Sequence, residues 1–187
     1  MIDLSLPTLQ PVFDAAGRKG VVLDIRPLPR WANTPELVAA AVGADLDQIV
    51  TPLVFVAPRA GGGRTPIVCL VGGRNQVDTC LMAAVAGEVS LRAATPAETL
   101  ELTGYSVGRV PPFGHGHRVR TLMDGSLRSH QWVWALAGPA AAVFRVGPRT
   151  LMVLANALVV PVAERPYMGL PGAPFEPRHS SLGVGAA

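Results

Sequence analysis

The sequence predicts an α/β domain: one mixed, strongly curved β-sheet flanked by helices. Three observations lead there. First, 187 residues with 49% hydrophobic and only 16% charged side chains suit one compact domain with a sizeable core. Second, two long apolar β runs, at 49–56 and 67–71, stand close together in sequence. Third, capped helical segments alternate with strands without a strict strand-helix-strand beat, and several neighbouring strands have short connections.

Each element has a local cause. Thr8 is a plausible N-cap and Gly17 a stop, which predicts a helix over 8–17. Val21-Val22-Leu23-Asp24-Ile25 reads as a strand. After the loop at 28–32, Asn33 or Thr34 caps a helix with Pro35 and Glu36 in its first turn and Gly43 at its end. The runs at 49–56 and 67–71 are joined by 57–65, whose Gly61-Gly62-Gly63 imitates a phosphate loop. It lacks the terminal lysine and the strand-to-helix setting such a loop needs. Asp78 caps a helix through 86, and 89–91 reads as a short strand. Thr95 with Glu98 forms a capping box for a helix reaching 102. Strands at 119–123, 132–136 and 143–146, a helix over 148–155 and a strand at 158–162 complete a domain spanning 1–164. From 165 to 187 the composition turns to Pro, Gly, Ser and Ala without apolar period, as in a tail that orders against a partner or a second copy.

The stretch with most to say about chemistry is Thr103-Gly104-Tyr105-Ser106-Val107-Gly108-Arg109-Val110-Pro111-Pro112-Phe113-Gly114. Glycines allow positive φ and close approach to a ligand, and prolines fix φ and remove competing donors. Free backbone amides can thus be aimed at a small group. A tight turn between two strands is the competing explanation.

The order of neighbouring pieces adds to this. Gln48-Ile49-Val50-Thr51-Pro52-Leu53-Val54-Phe55-Val56, Pro66-Ile67-Val68-Cys69-Leu70-Val71-Gly72-Gly73, Val77-Asp78, Ala93-Ala94-Thr95-Pro96-Ala97-Glu98, the glycine-proline loop, Met123-Asp124 and Ala137-Gly138 follow one another. That series resembles the YbaK/ProX-like aminoacyl-tRNA deacylases, free-standing relatives of the editing insertion domain of prolyl-tRNA synthetases. The resemblance spans roughly 8–164 and implies the same curved-sheet fold. It also implies a trans-editing hydrolase that removes amino acids from mischarged tRNA, with tRNA for proline as the expected substrate. In such an enzyme the loop from Gly108 to Gly114 supplies oxyanion-binding amides, with Pro112 holding its shape. Arg109, Val110, Pro111, Phe113 and Gly114 wall the substrate pocket, and a substrate hydroxyl positions the water. The family usually carries a lysine after Gln-Ile-Val; here Thr51 stands there, a hydroxyl without charge. Lys19 is the sole lysine of the chain, which leaves open that Arg109 or Arg26 supplies the cation from another direction or that the pocket, with Thr51 and Pro52, accepts a different aminoacyl group. A non-catalytic module of the same fold that binds aminoacyl-tRNA or an aminoacyl ligand is the alternative.

His115 and His117 follow the loop and are general-base candidates, His115 the one assigned to substrate. His115-x-His117 lacks a third ligand, so neither metal nor cofactor is expected. Asp124 is either an N-cap or a substrate contact. Trp132 and Trp134 alternate on one strand, filling core or stacking on a base. Cys69 and Cys80 are expected to be reduced and buried. A net charge of +3 suits a phosphate-bearing partner without demanding one. The resemblance implies aminoacyl-tRNA as the partner; DNA and membrane are not expected, and a homodimer is compatible. No apolar run reaches membrane length, and no secretory signal is visible, which implies a cytoplasmic protein.

Overall fold

A computed structural model describes residues 8–73, 75–138 and 141–162. The expected tail and the last residues before it lie outside them. The described chain folds into five helices and one eight-stranded sheet: α1 (Gln10–Gly17), β1 (Ile25–Pro27), α2 (Pro35–Val42), β2 (Ile49–Pro58), β3 (Arg64–Gly72), α3 (Thr79–Ala86), β4 (Arg92–Ala93), α4 (Pro96–Thr103), β5 (Arg120–Asp124), β6 (Val133–Leu136), β7 (Ala142–Val146), α5 (Pro148–Ala155) and β8 (Leu158–Val160). The order across the sheet is β1-β7-β6-β2-β3-β5-β8. β2 and β3 form a long antiparallel hairpin, whereas β2–β6, β3–β5 and β5–β8 run parallel. The sheet is therefore mixed, as expected.

Alternation along the strands divides the core in two. Val50, Val54, Val68, Leu70, Met123, Val133, Ala135 and Phe144 turn to one face and pack with α1 and α5. Ile49, Phe55, Ile67, Cys69, Val71, Leu122, Trp134 and Val143 turn to the other, which α2 and α3 cover.

Several caps follow the residues named from sequence. Thr34 Oγ accepts from Leu37 N, Asp78 from Cys80 N and Leu81 N, and Thr95 with Glu98 closes a full capping box. Three local readings are corrected. Leu9, not Thr8, is the N-cap of α1 and makes no side-chain cap bond. The first strand forms at Ile25–Pro27, because its partner β7 reaches only that far; Val22 is almost fully exposed. Val89 is likewise exposed, and the short strand is instead Arg92–Ala93, where Phe55 and Val56 offer a partner.

The far edge of β2 is split, and that split shapes the molecule. One edge of β2 pairs with β3 along its length. The other pairs with β6 at Ile49 and Val50 and with β4 at Phe55 and Val56, leaving an interval around Thr51 to Leu53. Val54 O accepts from Ala94 N on this edge, and residues two apart share an edge, so Pro52 directs its nitrogen to the same side. Proline has no hydrogen to donate there, so a continuous neighbouring strand would lack one of its bonds.

Glu98 anchors the helix that leads to the loop facing this interval. It is buried, accepts from Thr95 N at 2.9 Å, and meets Arg92 at 2.7 Å and Arg64 at 2.7 Å. The network ties α4 to β3 and β4. The Arg92 guanidinium, the Thr95 amide and Arg64 together hold the Glu98 carboxyl far below its ordinary value of 4.5. A depressed folded-state pKa means stability that is present above the unfolded value and lost as pH falls through the folded one. Glu98→Gln should therefore be less stable than wild type near neutrality. Its stability should also fall less steeply below about pH 4.5, as urea unfolding across pH will test.

Candidate active site

The segment after α4 is built to hold one conformation. Gly104, at φ 80°, ends the helix in the left-handed region. Thr103 Oγ1 donates to Thr99 O at 2.6 Å and accepts from Tyr105 N at 3.1 Å. Tyr105 Oη then donates to Gly114 O at 3.3 Å, and His115 Nε2 bonds Pro111 O at 2.9 Å, so the loop is closed across its base. Val110 and Phe113 enter the core, the latter with its ring 5.6 Å from that of Phe144. Pro111 and Pro112 are buried beside them. The base is fixed, and Val107 and Gly108 project from it, exposed.

That tip meets the split edge of β2 around a cavity of about 220 Å3. Thr51, Pro52 and Leu53 form one wall, Val107 to Val110 another, and Asn33 and Thr34 at the start of α2 a third. Ile49, Val38 and Leu136 make its floor largely apolar. Thr51 is half-buried. Arg109, also half-buried, is the one charged residue among the described lining residues and has no ion-pair partner among the described residues. Arg109 N donates to Ser106 O at 2.9 Å. No described group accepts from the amides of Gly108 or Val110.

Of the expected site residues, Thr51, Gly108, Arg109 and Val110 come together here. The others stand elsewhere. Gly114 packs on α1: a Cβ there would lie 2.9 Å from Pro11 O, at a φ of 83°. Gly114 and His115 line a separate cleft with Tyr105, Asp14 and Arg18. Burial pushes His115 below its ordinary 6.5, which favours a neutral ring donating from Nε2 to Pro111. Asp124 is buried as a cap, accepting from Ser126 N at 2.9 Å and Val162 N at 3.0 Å. Arg26 is paired with Asp24 at 2.9 Å and lies 5.5 Å from the ring of Trp134.

Asn33, Thr34 and Leu136 were not singled out from sequence as site residues. Their only local signals were a helix cap and a strand, and it takes the tertiary fold to bring them to Thr51. Cys69 is buried, with its thiol pushed up to about 12 by burial and then by Asp124, so it is no nucleophile. Cys80, expected to be buried, is exposed on α3. Among the described residues no cluster of metal-ligating side chains occurs, and no helix is long and apolar enough to cross a membrane.

A mixed eight-stranded sheet whose split central strand faces a glycine-proline loop across a small cavity is the frame that the comparisons with known proteins address. The chain belongs to the aminoacyl-tRNA editing domain family, whose pattern matches residues 29–154. A crystal structure of a candidate trans-editing enzyme for prolyl tRNA synthetase is 36% identical, with a TM-score of 0.76 over 86% of this chain and 99% of that one. The crystal structure of hypothetical protein APE2540 is 25% identical, with a TM-score of 0.74 over 82% and 99%. The uncharacterized protein YwhH of Bacillus subtilis (strain 168) is 27% identical over 148 residues, 79% of this chain and 89% of its own length.

The two glycines of the loop should respond differently to a methyl group. Gly114→Ala combines positive φ with a backbone clash and should cost about 2 to 4 kcal/mol in chemical denaturation. Gly108, at φ 74°, has open space around it, so Gly108→Ala should stay folded at a cost of about 1 kcal/mol.

Proposed function

We propose that the protein is a trans-editing deacylase that hydrolyses the ester linking a wrong amino acid to the terminal ribose of a tRNA, with tRNA for proline as its substrate. The observation that carries this reading is the cavity in which Thr51 faces the tip of the loop, where the amides of Gly108 and Val110 have no partner among the described residues. Unsatisfied amides beside a small, largely apolar cavity are suited to a carbonyl oxygen that gains charge.

In the reaction a water oxygen bonds to the ester carbonyl carbon, and the carbonyl oxygen becomes an oxyanion. The ester bond to ribose then breaks, and the proton released by water passes to the ribose oxygen. Free amino acid and deacylated tRNA leave. The loop amides stabilise the oxyanion, each well-placed donor contributing about 3 to 4 kcal/mol. No histidine or carboxylate is among the described lining residues, so the neighbouring ribose hydroxyl is the group that orients the water. The family to which the chain belongs and the 36% identical relative support this reading.

Thr51 replaces a lysine expected from the resemblance, and Arg109 is the cation left to meet the terminal phosphates. Electrostatic stabilisation by amides survives that exchange, while binding and orientation weaken. Thr51→Lys should therefore raise deacylation of at least one mischarged tRNA. Gly108→Ala, which shifts the donor, should lower the rate by about 100-fold or more. The test is a panel of labelled aminoacyl-tRNAs, followed for ester loss and for retention on a filter. If wild type and Thr51→Lys are inert across the panel while wild type retains charged tRNA, the protein is a binding module and the hydrolase assignment falls.

A further inference from the structure

Pro52 withholds a donor from its neighbour and keeps its own acceptor. Val54 O accepts from Ala94 N on the outer edge of β2, so the backbone groups of residues 50, 52 and 54 all face that edge. The Pro52 carbonyl is therefore directed into the interval, where Pro52 lines the cavity. On β6, Ala137 N donates to Ala142 O of β7, so the backbone groups of Leu136, one residue earlier, face β2 instead. Val50 pairs with Ala135, and the next step of this parallel ladder would bring the amide of residue 52 to the Leu136 carbonyl. Proline has no hydrogen to give, and the ladder ends there. No described group donates to the carbonyl of Pro52 or of Leu136.

Two half-buried residues thus bring unpaired acceptors to the cavity of about 220 Å3. A backbone group left so costs about as much as a lost hydrogen bond unless a ligand or water donates to it. The opposite wall carries the complement: the amides of Gly108 and Val110, with no acceptor among the described residues, and the cation of Arg109. The cavity is polarised, with carbonyls on the β2–β6 side and amides on the loop side. No carboxylate is among the described lining residues. A cationic group of a ligand therefore has these carbonyls as its acceptors, besides the side-chain oxygens of Asn33, Thr34 and Thr51.

We infer that the carbonyls of Pro52 and Leu136 hold the α-ammonium of an acyl group whose ester carbonyl lies against the loop amides. The inference rests on the function proposed above and adds a requirement that ester hydrolysis does not impose, since attack of water on an ester needs no amino group. An ammonium brings charged N–H donors, whose bonds are stronger than neutral ones. The protein accordingly takes acyl groups with a free α-amino group and spares N-blocked ones, peptidyl groups among them.

Three unreactive adenosines, each carrying its acyl group through an amide at the ribose, test this by calorimetry on the full chain: alanyl, N-acetylalanyl and lactyl, the last with a hydroxyl in place of the ammonium. Sharing one small side chain, they leave size out of the comparison. The alanyl compound should bind about tenfold more tightly, or better, than either of the others. Pro52→Ala restores the missing hydrogen. Its new amide should be protected from exchange by Leu136 O, and its preference for the alanyl compound should fall to about threefold or less. Equal affinity of wild type for the alanyl and lactyl compounds would overturn the inference, as would no binding of the alanyl compound. So would an undiminished preference in Pro52→Ala with the new amide protected; where that amide exchanges freely, the wild-type comparison decides alone. Ester loss from alanyl-tRNA and lactyl-tRNA separates the two readings. Selective binding with neither ester cleaved keeps the ammonium site and removes the hydrolase, whereas cleavage of both at equal rates does the reverse.

Discussion

The missing hydrogen on Pro52 is the constraint around which this molecule is arranged. A central strand ordinarily pairs along both edges, and one unsatisfied buried backbone group costs on the order of a hydrogen bond. With proline in the middle of β2, the far edge is shared between β6 and β4, and neither strand crosses the interval. The loop after α4 faces the gap across the cavity instead. A sheet that paired continuously would leave no cavity beside Thr51.

Around that opening, rigidity and exposure are divided. Glu98 locks α4 through two arginines and its own cap, and Tyr105 closes the loop base onto Gly114. Val110 and Phe113 sink into the core. What remains unburied is the tip, Val107 and Gly108, together with Arg109 half-sheltered behind it. Preorganised donors need this combination, because a mobile amide would have to be ordered at the moment of reaction.

Much of this was legible in the chain because it is local. Helix caps at Thr34, Asp78 and Thr95 and the helix α5 depend on residues three or four apart, and the β2–β3 hairpin on two apolar runs adjacent in sequence; each formed where the residues predict it. The first and fourth strands shifted because short strands exist only where a partner lies, and the partners of Ile25 and Arg92 are far away in sequence. The loop was recognisable from its glycines and prolines, but their separate duties were not. Gly108 bounds the cavity and Gly114 fits against the backbone of α1, a distinction that needs the position of Pro11. Asn33 and Leu136 carried no chemical signal at all, since a cap residue and a strand leucine acquire a role only when the sheet brings them to Thr51. Asp124 carried a signal with two meanings, and its bonds to Ser126 and Val162 give the capping one.

The central claim is that the cavity between Thr51 and the loop tip receives the aminoacyl end of the substrate. Backbone amide NMR during titration with a non-hydrolysable aminoacyl-adenosine, its ester replaced by an amide, tests this most directly. The account predicts the largest shifts at Gly108 and Val110, with Thr51 and Leu136 following, and little change at Tyr105 or His115. Shifts centred on Tyr105, His115 and Arg18, with Gly108 and Val110 unmoved, would contradict it.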